Sequence, residues 1–315
     1  MSAYLRAMAG TAVLIRTHFV DEALLAQAGR IAAEGVFDVY ALADETRAPL
    51  DFSPIPKVSL TPAVISDLGL YAGAPNLLWR CGDYGFYAAR RALPQYDGFW
   101  MIEPDVRVNA DRPSDVLARF PGPGEVDFLA GRLRPAEADW DWMVTMDPAG
   151  GPIWRCLFAV TRVSARAIDL LHETRLRASA AQVAEGRDPK LWPNDEAFVA
   201  TTLAHSGLCV RDLNDFGPVY EEAGFSFWFP LSEREVAASG REGFIYHPVL
   251  GGNAYFLKLC RLAVQHGAVD ALEGIVERLT GLEWTPEEAQ GHRRAIDFLR
   301  AQQALGSTQG PLEAG

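Results

Sequence analysis

The stretch "FWMIEPDVRVN", residues 99–109, runs from four apolar residues into two carboxylates, Glu103 and Asp105, separated by Pro104. Side chains two apart in an extended segment point to the same side. Pro104 fixes its own φ and holds Glu103 extended, so the spacing predicts a convergent pair of oxygens. Paired hard oxygens with open coordination positions suit Mg²⁺ or Mn²⁺, ions that commonly bridge protein carboxylates to substrate phosphates. Acidic residues also end strands by facing solvent or by pairing with a neighbour such as Arg107, so the surrounding elements decide between the two readings.

Two further groups could carry chemistry. Asp195 and Glu196 open the segment "WPNDEAFVATTLAHSG", a helix with Asn194 as its candidate N-cap. The helix dipole favours ionised carboxylates there, and capping alone explains such a pair in many helices. His247 lies in "IYHPVL", where the following proline disfavours helix. Of the other histidines, His172, His205, His266 and His292 fall on expected helices and read as ordinary, and His18 is a rim residue without a task. Trp140, Trp142, Trp192 and Trp228 flank loops containing Gly or Pro and offer flat faces to a sugar, although aromatic residues more often fill cores.

The elements that must position these residues begin with "TAVLIRT", "VDEALLAQAGRIAAEG" and "FDVYALAD": strand, helix and strand, with Leu24, Ala28, Ile31 and Ala32 on one helix face. This opening predicts parallel pairing, a right-handed crossover and a sheet covered by helices on both faces. Ligands in such sheets bind at the carboxyl ends of the strands. That rule puts Arg16, Thr17 and His18, then Asp44 and Glu45, on the binding rim. Neither GxGxxG nor GxxxxGK[ST] occurs there, so the dinucleotide fingerprint and the P-loop are absent.

From Ala48 to Pro62 the chain reads as a long loop, followed by a short helix "PAVISDLGL". A helix "CGDYGFYAARRAL", opened by Gly82 and Asp83, leads into the strand "YDGFWMIE", whose apolar run suits a central parallel position. Later come "SDVLARF", a strand "VDFLAGRL", the acidic Trp loop "AEADWDW" and a long strand "PIWRCLFAVTRVS" followed by a helix. The C-terminal part predicts two amphipathic helices, about 253–279 and 285–305, and a flexible tail.

The chain has 315 residues, 49% hydrophobic and 22% charged, with a formal net charge of −12. An acidic chain with a pI near 5.0 argues against a nucleic-acid partner, because that affinity comes from Lys and Arg releasing counterions. Small anionic ligands are still allowed, since one local Arg or a bound cation reverses the potential within a cleft. Cys81, Cys156, Cys209 and Cys260 show no CxxC or zinc spacing and read as reduced core residues. The N-terminal apolar stretch is too short to span a membrane and carries no convincing cleavage site, so the expectation is a cytoplasmic protein, with peripheral membrane contact left open.

The segment "LWRCGDYGFYAARRALPQYDGFWMIEPDVRVN" resembles the core of the GT-A fold nucleotide-sugar glycosyltransferases. In that family a helix opening on a polar or acidic residue precedes an apolar strand that ends in a DxD-type motif. The order of elements is similar over roughly residues 11–250. The resemblance implies an α/β fold: a GT-A-like, Rossmann-type mixed, mainly parallel sheet flanked by helices, with C-terminal helices. It divides the chain into a catalytic domain over 1–250, a helical extension over 251–306 and a tail over 307–315.

The implied activity is transfer of a sugar from a nucleotide-diphosphate sugar to a glycan, lipid-linked or protein acceptor, assisted by Mn²⁺ or Mg²⁺, as in polysaccharide biosynthesis. Carried over to this chain, Glu103, Asp105 and His247 are the metal ligands, and Asp195, with Glu196 beside it, is the base. Arg16, Thr17 and Asp44 meet the nucleotide's base and ribose, and Arg80 and Asp83 approach it from the preceding helix. Here Glu103 and Pro104 replace the family's first Asp and its variable residue, so Glu103 reaches a methylene further, to the ribose or a metal-bound water. Arg107 offers a metal-free grip on the diphosphate instead. Two other classes stay open: a nucleotidyltransferase, which usually needs a basic Gly-rich loop absent from "RTHFVDE", and a non-catalytic carbohydrate-binding or scaffold protein on a degenerate transferase fold.

Overall fold

The computed structural model describes residues 10–147 and 150–306, and the expected tail from 307 lies outside the described residues. The chain divides into two compact units. The first runs to Glu222 and takes in Glu242–Ile245; the second comprises Ala223–Arg241 and the chain from Tyr246 onward. The C-terminal helices therefore share a unit with residues that precede 251.

Among the described residues of the first unit, seven strands form one sheet: β1 (Thr11–Thr17), β2 (Asp38–Asp44), β3 (Lys57–Leu60), β4 (Gly98–Ile102), β6 (Phe128–Pro135), β7 (Trp154–Ser164) and β8 (Val210–Asp212). Their order is β3-β2-β1-β4-β7-β6-β8. β7 runs antiparallel to both neighbours and every other pairing is parallel. The result is the mixed, mainly parallel, helix-flanked α/β sheet of a GT-A-like Rossmann fold. Two short strands, β5 (Arg107–Asn109) and β9 (Phe244–Tyr246), pair apart from it.

Chemistry explains the layout. Ala12 to Ile15 of β1 and Phe99 to Ile102 of β4 are almost wholly covered, as strands with helices on both faces must be. The crossover helix Glu22–Ala33 starts where the Asp21 side chain accepts the Leu24 N–H at 2.8 Å. It buries Leu24, Ala28 and Ile31; Ala32, a further step round the helix, is exposed. The loop expected over 48–62 contains β3, which joins the sheet edge beside β2.

Asp83 and Arg175 lock two helices together beneath the sheet. Both side chains are 0% exposed, and the guanidinium donates to both carboxylate oxygens, at 2.8 and 3.1 Å. Tyr87 Oη donates to the same carboxylate at 2.7 Å, and the Arg175 guanidinium lies 3.7 Å from the Phe198 ring centroid. Burial raises the Tyr87 phenol pKa, and the Asp83 charge beside it raises it further. Replacing Asp83 by Ala strands a cation in the core, and the expected cost is about 3–5 kcal/mol of unfolding free energy, measurable by urea denaturation.

In the second unit, helices Gly252–Gln265, Ala271–Leu279 and Pro286–Gly306 pack around Tyr255, Phe256, Val276, Trp284 and Ile296. The single helix expected over 253–279 is two, because Gly267 adopts φ +65° just after the first helix ends, the usual glycine terminator. His292 is structural, stacked on Phe256 at 4.0 Å. No described helix is long and apolar enough to cross a membrane.

Candidate active site

The register of β1 against β4 builds the site. Ile15 pairs with Ile102, so the next residues, Arg16 and Glu103, emerge side by side at the carboxyl ends of the two strands. Arg16 Nη1 donates to Glu103 Oε1 at 3.0 Å. Beyond Glu103 the chain turns instead of staying extended: Val106 N donates to Glu103 O at 3.1 Å, with Pro104 and Asp105 at the corner. Pro104 thus presets the second position of a β-turn. The convergence expected of the two carboxylates still results, since an oxygen of Glu103 and one of Asp105 lie within 4.8 Å of each other. An ion with bonds of about 2.1 Å needs only a small adjustment to reach both.

Arg16 also ties this pair to the second acidic group. Its Nη1 lies 3.7 Å from Asp195 Oδ2, and its Nη2 donates to the backbone carbonyls of Leu78 and, at 3.3 Å, Trp79. Asp195 starts helix Asp195–Ala204, whose N-cap is Asn194 as the sequence suggests; the Asn194 side chain accepts the Ala197 N–H at 3.0 Å. The Asp195 carboxylate accepts N–H bonds from Gly82 and Glu196, both at 2.8 Å. Only 4% of the residue is exposed, and burial pushes its carboxyl well above the ordinary range despite the pull of Arg16. The helix dipole alone favours the opposite shift; here desolvation outweighs it.

Gly82 is the residue that the sequence did not single out for this site. Its backbone is ordinary right-handed helix, so conformation does not demand glycine. Space does: a Cβ there would lie 2.7 Å from Asp195 Oδ2 and run into the Arg16 guanidinium. In the sequence "CGD" the glycine is indistinguishable from a helix start, and the close approach depends on Arg16 and Asp195, both remote in sequence.

The other expected site residues divide. Asp44 lines a small cleft at the ends of β1, β2 and β3, together with Arg16, Leu60 and Gly82. Its Oδ1 accepts from the Thr46 N–H and hydroxyl. Thr17 is buried, with its hydroxyl bonded to the Phe19 backbone, so it shapes the loop after β1. Asp83, expected beside a nucleotide, is in the core on Arg175, because both its oxygens serve the buried ion pair described above. Arg80 lays its guanidinium on Trp142, 4.9 Å from the ring centroid. Arg107 Nη1 donates to Gln27 Oε1 at 3.2 Å, toward helix Glu22–Ala33. Glu196 Oε1 accepts from the Phe158 N–H at 3.4 Å.

His247 belongs to the second unit. It is 4% exposed, and its Nδ1 donates to the Ser226 carbonyl at 2.8 Å. That bond fixes the tautomer in which Nε2 carries the lone pair, the form that ligates a metal. Of the tryptophans, Trp192 is 1% exposed and packs beside Arg175, Trp140 faces the Arg155 guanidinium, and Trp228 is half exposed in the second unit. Cys81, Cys156, Cys209 and Cys260 are free thiols, and all but Cys209 are buried.

No protein-family model and no curated protein matches the sequence. Among solved structures, the chain is similar to the crystal structure of a glycosyltransferase involved in the glycosylation of the major capsid of PBCV-1. The match covers 64% of this chain and 82% of that one, at 13% identity and a TM-score of 0.29.

Proposed function

We propose that this chain is a glycosyltransferase that moves a sugar from a nucleotide-diphosphate donor to a glycan, lipid-linked or protein acceptor with the help of a divalent cation. One observation carries the reading: the acidic pair at the end of a central strand, Glu103 and Asp105, is joined through Arg16 to the buried carboxylate of Asp195. A group suited to a cation and a group suited to taking a proton thus share one guanidinium.

Glu103 and Asp105 are the proposed oxygen ligands, and His247 keeps the nitrogen-ligand role that the sequence resemblance implies. Two carboxylates and a neutral imidazole favour Mn²⁺ over Mg²⁺. The chemistry such an ion supplies is neutralisation of the charge gathering on the departing diphosphate. Arg16 and Asp44, at the cleft, are proposed to meet the nucleotide, with Thr17 holding the loop beside them and Arg107 available to the diphosphate.

Asp195 takes the proton of the acceptor hydroxyl as that oxygen bonds the anomeric carbon and the bond to the diphosphate breaks. A base with a raised pKa is better matched to neutral pH than an ordinary aspartate. Its oxygen Oδ2 is aimed by the Gly82 N–H, and Glu196 holds its place beside it through the Phe158 N–H.

The test is release of nucleoside diphosphate from a panel of nucleotide sugars in the presence of Mn²⁺. Release from at least one donor is expected; none from any of them, with sugars binding on their own, would return the chain to the carbohydrate-binding class. A Gly82→Ala variant should fold, since the backbone there suits alanine. By displacing Arg16 and Asp195 it should lower kcat/KM about 100-fold. Wild-type kinetics in that variant would break the link between Gly82 and the base.

A further inference from the structure

Three arginines in the described residues are buried: Arg80, Arg162 and Arg175. Arg175 pairs with Asp83, and Arg162 donates to the carbonyls of Gly122 and Val126 at 3.4 and 2.8 Å. Arg80 differs. It is 8% exposed, yet among the described residues no carboxylate pairs with it, and its buried Nε meets no hydrogen-bond partner. Asp139 and Asp141, on the neighbouring loop, are exposed and do not pair with it. A guanidinium so little exposed and without a carboxylate partner suits an anion that arrives with a ligand.

The surroundings say what else the ligand carries. The Arg80 guanidinium lies over Trp142, and the Trp142 ring packs against Trp79 with centroids 6.0 Å apart. Trp79 is 55% exposed, an aromatic face of the kind that stacks on the C–H face of a sugar ring. Helix Leu77–Arg80 is anchored to the candidate base, because Arg16 donates to the carbonyls of Leu78 and Trp79 while contacting Asp195.

We propose that Trp79, Trp142 and Arg80 form the acceptor subsite, and that the sugar unit it takes carries an anionic group, a carboxylate or a phosphate. The role as acceptor subsite rests on the reading of Asp195 as the base of a glycosyl transfer. Trp79 supplies the stacking face, and Arg80 supplies paired N–H donors to the anion. The same guanidinium chemistry also fits the donor's diphosphate, so the two sources must be separated by experiment.

Calorimetric titration of the full chain with a uronic-acid oligosaccharide, its neutral counterpart and, separately, a nucleoside diphosphate with Mn²⁺ does this. The acidic oligosaccharide should bind about ten-fold tighter than the neutral one, the advantage expected of one charge-assisted contact. Arg80→Gln should erase that preference, and Trp79→Ala should weaken both sugars. Without ligand, Arg80→Gln should melt within a few degrees of the wild type, which reports an intact fold. Equal affinities in the wild type, or a preference that survives Arg80→Gln, would overturn the proposal. Loss of nucleoside diphosphate affinity in Arg80→Gln would assign the guanidinium to the donor and overturn it equally. Selective binding of the acidic sugar by a chain that binds no nucleotide would uphold the anionic-sugar site and remove the transferase reading. Nucleotide binding with no sugar selectivity would do the reverse.

Discussion

Asp195→Asn is expected to lower sugar transfer by about 10²- to 10⁴-fold, the span typical of losing a general base. The substitution keeps the shape, and an amide oxygen still accepts the Gly82 N–H now bonded at 2.8 Å. What it removes is the capacity to take a proton. The pH profile gives the sign. A base works only when ionised, so wild-type kcat/KM should fall as pH drops through the Asp195 pKa, and burial places that fall above the ordinary aspartate value of 3.8. In Asp195→Asn this acid limb should disappear. Stability moves in the opposite sense. A carboxyl whose folded pKa is raised favours the folded state most below 3.8 and loses that contribution as pH rises through the folded pKa. The melting temperature of Asp195→Asn relative to wild type should therefore climb with pH. A variant with an unchanged acid limb and undiminished turnover would release Asp195 from the mechanism and leave it as a buried structural carboxylate.

Asp105→Asn is the second large effect. Asp105 occupies the corner of the Glu103–Val106 turn and is more than a turn residue only if its charge is used. An asparagine keeps the turn, because Asn suits the same positions as Asp. The loss of a ligand charge should reduce Mn²⁺-supported donor turnover by about 10²- to 10³-fold, comparable with the loss of a single transition-state stabilising group. The melting temperature without ligand should stay within a few degrees of wild type. Glu103→Gln should be milder in the metal response but should loosen Arg16, which holds Glu103 at 3.0 Å. Unchanged Mn²⁺ dependence in Asp105→Asn would move the diphosphate contact to an arginine, with Arg107 the first to examine.

Much of the central sheet was legible because its inner strands β1 and β4 carry unbroken apolar runs. "TAVLIRT" and "GFWMI" can be buried on both faces only inside a helix-covered sheet, and the period of the intervening helix sets its buried side. Strands β3, β5, β8 and β9 have three or four residues, too few for an alternating pattern to show. The helix break at Gly267 was missed because an isolated glycine in an amphipathic run is often tolerated, whereas its left-handed φ appears only in the structure.

The candidate site was legible as residue types and less so as geometry. Glu103, Asp105, Arg16 and Asp195 could be named because each sits where a strand or helix begins or ends. The reading of residues 103–105 as extended gave the right convergence for the wrong reason, since the turn is what folds Asp105 back. Asp83 misled because its partner, Arg175, is 92 positions away and nothing local marks the pair. Gly82 was invisible as a site residue for a similar reason: the atoms that its side chain would strike come from β1 and from the helix starting at Asp195.

The most direct measurement is the thermal stability of the chain with a panel of nucleoside diphosphates, with and without Mn²⁺, in the wild type and in Asp105→Asn. A ligand that binds only the folded state stabilises it by about 2.7 kcal/mol at one hundred times its Kd. For a unit of this size that corresponds to a rise of roughly 5–10 °C. The expected result is such a rise with at least one nucleoside diphosphate, strongest with Mn²⁺ present, and loss of the Mn²⁺-dependent part in Asp105→Asn. No stabilisation by any nucleotide, or a rise that is the same without Mn²⁺ and in the variant, would contradict a cation held by this acidic pair against a diphosphate.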